Sequence, residues 1–182
     1  MSFRRASMSV QYELFMFNST LVEMMHMKPV TPYEKLLFNA LLQSFLIAVR
    51  NLHEFLYPNI KRKPTDLASN DFFTAPDQWR PLPMPDAWAN QQVIRIIHKS
   101  MAHLTWHRAR KLKPDWEPLN IALAITPTLG RFLETASPRR IDSQLKDSFG
   151  MHKDRLRKLC KKNRIDMNDP PTKFVSFVST RF

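Results

Sequence analysis

His103 and His107 stand four residues apart, one turn of a helix, and Arg108 follows directly. Two imidazoles at that spacing face the same way, so they could share a metal ion. They could equally divide the work of general base and general acid over a phosphate held by Arg108. The peptide-hydrolysing metal version of this spacing carries a glutamate directly after the first histidine, where it acts as the base. Leu104 occupies that place and the single cysteine, Cys160, is remote. With no third ligand in view, no metal and no cofactor are expected. What remains is a metal-independent acid–base site, set against a structural network in which His103 bonds a neighbouring segment and Arg108 pairs with Glu54 or Asp71.

A second chemistry lies in the charge. The 182 residues hold 28 Lys/Arg against 16 Asp/Glu, a formal net charge of +12, which favours anionic partners, nucleic acid first. Residues 139–164 hold Arg139, Arg140, Lys146, Lys153, Arg155, Arg157, Lys158, Lys161, Lys162 and Arg164 against Asp142, Asp147 and Asp154, or +7 of the +12. Within that window Ile141, Leu145 and Phe149 share one helical stripe, Gly150 permits a tight turn, and Met151, Leu156 and Leu159 follow. The pattern is similar to a helix-turn-helix. Lys146 departs from it, because a small residue usually stands there so that the helices can approach. In such a motif His152, Lys153 and Arg155 would lie nearest the base edges, and Arg157, Lys158, Lys161, Lys162 and Arg164 would hold phosphates. The competing reading is a solvated basic helix that packs Leu156 and Leu159 on the body. Membrane binding is not expected, because the helix lacks a Trp or Phe for an insertion face. DNA and RNA are not distinguished at this level.

The elements that must position these residues follow from periodicity. Val10, Leu14, Phe17, Leu21 and Met24 predict a helix over about 9–26. Thr31, Pro32 and Glu34 form a capping-box start for a second helix, whose stripe is Leu37, Leu41, Phe45, Ala48, Leu52 and Leu56. Residues 58–85 carry six of the fourteen prolines and read as a long connection with at most a short helix near 66–72. Phe72, Phe73, Trp79 and Trp88 predict that this connection wraps the body. A third helix is expected over about 86–112, with Ile94, Ile97, Met101, Leu104 and Arg108 on one stripe. A fourth is expected over about 117–136, with Ile121, Ile125, Leu129 and Phe132 inward and Pro127 kinking it or splitting it in two. Residues 173–182 are β-prone and could add an edge strand.

Arg50-Asn51-Leu52-His53-Glu54-Phe55-Leu56, Asp71-Phe72-Phe73 and His103-Leu104-Thr105-Trp106-His107-Arg108, together with Trp116, resemble a widespread family of small uncharacterised bacterial proteins. That family shows an RNL-x-(E/D)-FL helix end, a DF(F) segment and an HLT-(aromatic)-x-R helix. More loosely the chain resembles HEPN-type domains, a helical fold used by RNA-cleaving toxins and defence proteins. The HEPN nuclease motif is an arginine, four to six residues, then a histidine on the same helix. Arg50 to His53 and Arg95 to His98 are too close, and Arg95 to His103 too far, so a ribonuclease here would need a rearranged site at His103, His107 and Arg108.

The expected fold is therefore all-α: an antiparallel helical bundle over 1–137, a basic helix-turn-helix-like pair over 138–169, and a tail over 170–182. One cysteine excludes an internal disulfide, and with no apolar run near the roughly 20 residues of a spanning helix and no signal peptide in view, a cytoplasmic setting is expected. The expected function is non-catalytic nucleic-acid binding in a regulatory or defence context. The alternatives are a HEPN-like ribonuclease and a structural subunit, and a homodimer or larger assembly is compatible with each.

Overall fold

Five apolar residues of the first predicted stripe, Val10, Leu14, Phe17, Leu21 and Met24, are all buried, on a helix α1 that runs Phe3–His26. The structure is a computed structural model that describes residues 3–59, 62–63, 65–102, 112–169 and 171–179. Helix α2, Pro32–Leu56, begins where its capping box predicts: Glu34 N donates to Thr31 Oγ1 at 3.2 Å, and Thr31 N donates back to Glu34 Oε2 at 2.8 Å. It lies antiparallel to α1, with Asn51 on Glu13 and Phe45 stacked on Phe17 at 5.2 Å. Only its second half is sealed. Phe45, Ala48, Leu52 and Leu56 are buried, whereas Leu37 is exposed, as are Tyr33, Leu36 and Ile47 on neighbouring turns. An 18-residue window of α2 reaches a mean hydropathy of 1.2, so, against the expectation of no such run, this helix is apolar enough to span a membrane by length and composition alone, while its second half packs into the core.

The proline-rich connection wraps the body as its aromatics predict. Trp79 Nε1 donates to Leu56 O at 2.8 Å, satisfying a carbonyl at the end of α2 that has no partner within its own helix. Phe55, Phe72, Phe73 and Trp79 then surround Phe132 at 5.0–6.3 Å, largely edge-on, the geometry the ring quadrupole favours. A short 3₁₀ turn at Ser69–Phe72 lies where a short helix was expected. Asp71 holds the connection together, accepting both Arg62 guanidinium nitrogens at 2.7 and 2.8 Å and the Ala68 N–H at 2.9 Å.

The predicted third helix is broken. It forms α3, Asp86–Asn90, and α4, Val93–Ala102, with Gln92 between them at φ 50°, a left-handed backbone that a continuous helix cannot contain. Leu112–Trp116 is not its end but a strand, β1, paired antiparallel with β2, Val175–Ser179. The tail is therefore docked. Phe174 is fully buried against Trp88 at 5.1 Å, and the Gln91 side-chain oxygen accepts the backbone N–H groups of Phe174 and Val175.

Helix α5, Pro118–Thr135, buries Ile121, Ile125, Leu129 and Phe132 and runs through Pro127 as one element. Helix α6, Ser143–Asn163, corrects the expected C-terminal helical pair. No turn forms at Gly150, and the two predicted segments are a single helix. The bonds Gln11 to Ser148 and His152 to Asn18 show α1 and α6 running side by side in the same direction, so this pair is parallel, not antiparallel. Leu145, Phe149, Leu156, Leu159 and Cys160 join α1, α2 and α5 in one hydrophobic core. The fold is thus mostly helical with one small sheet, and Pro138 separates helices rather than cores.

Candidate nucleic-acid interface

Asp142 starts α6 by accepting the Gln144 N–H at 2.9 Å on its side chain. At the other end Arg164 adopts φ 57°, with Arg164 N bonded to Lys161 O and Ile165 N to Cys160 O, the two bonds of a Schellman stop. Lys161 and Lys162 stand in this last turn, where cations interact favourably with the helix dipole. Between these ends Leu145, Phe149, Leu156, Leu159 and Cys160 face inward. Lys146, Lys153, Arg155, Arg157, Lys158, Lys161 and Lys162 are exposed, as is Arg164 just beyond. Asp147 and Asp154 are the acids on the same helix, and Asp154 is engaged by Arg157 at 2.8 Å. The result is a helix whose exposed side is predominantly basic and whose other side is locked into the core.

His152 does not belong to that surface. It is fully buried between Phe17 and Phe149, with Nε2 bonded to Thr126 Oγ1 at 2.9 Å and Nδ1 3.4 Å from Asn18 Oδ1. Burial, then the nearby Arg155 charge, lowers its pKa to about 4, so at neutral pH it is an uncharged core residue rather than a base-reading one. Arg140 is also drawn inward. Its guanidinium donates to the Asp71 and Phe73 carbonyls and sits 4.7 Å from the Phe3 ring centroid. Of the predicted contacts, Lys153, Arg155, Arg157, Lys158, Lys161, Lys162 and Arg164 share the exposed surface. His103, His107 and Arg108 lie outside the described residues. Among the described residues Asp71 pairs with Arg62 and Glu54 with His98.

A different cluster, not foreseen from the sequence, lines a cleft of about 710 Å³ between α1, α2, α4 and the connection. Glu54 Oε1 lies 3.2 Å from His98 Nε2. His53 stacks on Tyr57 and Trp88, and burial followed by the neighbouring His98 lowers its pKa to about 4. Glu13 accepts from Asn51 Nδ2 at 3.0 Å, and Asn51 Oδ1 accepts from Arg50 at 3.2 Å. Partial burial raises the Glu13 pKa, against the pull of Asn51 and Arg50. The two imidazoles thus have unlike surroundings, one buried among rings and one beside a carboxylate. Among the described residues no group of three or more His, Cys, Asp or Glu is placed to hold a metal ion.

No family model, curated protein or solved structure matches this chain. The wall residues Asn51, His53 and Glu54 fall in the Arg50–Leu56 segment that the sequence singles out, while Glu13 and His98 lie 38 and 44 residues from their partners, too far for any local pattern to join them.

Proposed function

We propose that the protein binds nucleic acid through α6 without acting on it chemically. The observation that supports this reading most is the solvent side of α6, where seven Lys/Arg stand against two acids and one of those acids is already paired. Phosphates neutralised there would release condensed counterions, so affinity should fall steeply with salt. Replacing Lys158, Lys161 and Lys162 together with alanine should weaken binding to all sequences alike. It should also lower the log-affinity against log-salt slope by about 2–3, at roughly 0.7–0.9 per lost contact. Salt-insensitive binding, or none to DNA or RNA at low salt, would remove the proposal.

A second reading, a metal-independent ribonuclease, is favoured by one observation: the cleft brings two imidazoles with unlike surroundings together, His53 neutral and His98 against Glu54. If it holds, RNA should be cleaved in the presence of a chelator, and His98→Ala should stop cleavage without changing the melting temperature by more than a few degrees.

A further inference from the structure

Helices α1 and α6 leave a groove of about 380 Å³ between them, with Leu14 and Asn18 as its floor. Its walls are Met8, Tyr12 and Phe15 from α1 and Met151 and Arg155 from α6. These apolar side chains are more than half exposed: Met8 56%, Tyr12 59%, Phe15 60% and Met151 55%. Among the described residues neither the Tyr12 nor the Phe15 ring packs against another ring, in a molecule whose other rings largely cluster.

Charge singles out the occupant. On α6 the positions that continue the groove wall at helical spacing are Gln144, Ser148, Met151, Arg155, Lys158 and Lys162, and none is acidic. Asp147 and Asp154 stand beside this row, one turn from Met151 on its solvent side, yet among the described residues none of Arg155, Lys158 or Lys162 has a carboxylate partner. On α1 the matching stripe is Arg4, Met8, Tyr12, Phe15, Ser19, Val22 and His26, also without an acid. Arg155 lines the groove beside Tyr12 and Phe15, and Lys158 and Lys162 follow it at helical spacing along α6. Seven residues at 1.5 Å each carry Arg155 to Lys162 over about 10 Å, the reach of a few nucleotides.

We propose that this groove binds single-stranded nucleic acid, with unpaired bases stacked on Tyr12 and Phe15 and phosphates held by Arg155, Lys158 and Lys162. The inference rests on the nucleic-acid reading of α6 and narrows its ligand. A base offers a flat face to any aromatic ring and is sequence-tolerant in doing so. In a duplex those faces are covered by neighbouring base pairs, so two exposed rings beside a cationic row suit an unpaired strand and add nothing for a paired one. An apolar partner helix fits less well, since its apolar face would have to continue over Arg155, Lys158 and Lys162.

The test is fluorescence anisotropy of the full chain with a labelled oligothymidylate, a labelled oligouridylate and a blunt DNA duplex of the same length. Tyr12→Ala and Phe15→Ala should each weaken single-strand binding roughly 5- to 100-fold and leave duplex binding within about twofold. The salt slope should not change, because stacking releases no counterions. Tyr12→Phe, which keeps the ring, should restore binding, and Tyr12→Leu, which keeps only apolar surface, should not. Equal loss of single-strand and duplex binding, or no loss of either, overturns the groove while leaving the α6 reading standing. Rescue by Tyr12→Leu also overturns it, in favour of an apolar partner. Absence of binding to all three ligands by the unaltered protein overturns both readings. Both rings are solvent-exposed, so the variants should melt as the parent does.

Discussion

His53 and His152 are held neutral by burial, each with a pKa near 4 instead of the ordinary 6.5. In the unfolded chain both imidazoles take up protons as the pH falls through about 6.5, and in the folded protein they do not until about 4. The unfolded state therefore binds more protons in this window, and stability falls on acidification. The contribution is complete above pH 6.5 and is lost toward pH 4, by up to roughly 3 kcal/mol per group. Thermal melts at pH 7, 5.5 and 4.5 should show the midpoint dropping. His152→Gln can still bond Thr126 and Asn18 but cannot ionise, so it should flatten part of that drop. A parent midpoint constant across the range would contradict the burial of both rings. Because His152 lies inside, its substitution should affect nucleic-acid affinity only through stability.

At the scale of the element, α6 contains one residue that a helix tolerates poorly, Gly150, and the structure gives it surroundings opposite to those of Gly130 on α5. A Cβ added at Gly130 would meet Phe149 Cζ at 3.3 Å, so glycine lets those two helices approach there. A Cβ at Gly150 meets nothing within 4 Å, and the backbone there is helical. Gly150→Ala should accordingly stabilise the protein by about 0.5–1 kcal/mol in denaturant titration, through lower chain entropy in the unfolded state. A loss of stability would indicate a turn at Gly150 after all. Arg164 carries the reverse case. Its left-handed φ of 57° is strained for a residue with a Cβ, so Arg164→Gly should gain about 1 kcal/mol while slightly weakening nucleic-acid binding. Stability and affinity moving in opposite directions is the signature to look for.

For the whole molecule, the decisive fact is that α6 and the segment around Phe174 complete the core. Removing everything after Ala136 would uncover the faces of α1 and α5 that now meet Leu145, Phe149, Leu156 and Leu159. The sequence-based boundary predicts that 1–137 folds alone, whereas the shared core predicts that this truncation loses cooperative unfolding and aggregates. Circular dichroism melts and size-exclusion chromatography of the truncation distinguish the two. A smaller change tests the same closure from the other end: Phe174→Ala should destabilise by about 3–5 kcal/mol, since it empties a fully enclosed site beside Trp88.

Periodicity and capping made much of this legible, because they are interactions between residues three or four apart that tertiary context seldom reverses. The inward stripes of α1 and α5, the capping box at Thr31, the wrapping by Phe72, Phe73 and Trp79, and the basic character of residues 139–164 were all determined by the sequence alone. His152 shows the limit. Its place between Phe149 and Leu156 on the helix put it on the buried side, but only Thr126 and Asn18, from two other helices, supply the bonds that let an imidazole stay there. The fate of Gly150 was likewise undecidable locally, since glycine suits both a turn and an uncrowded helix position. The Gln92 break, the pairing of β1 with β2 and the Glu54–His98 contact join segments through space. Those were decided by the tertiary structure, because a side chain's partner across the core leaves no periodic trace in the chain that carries it.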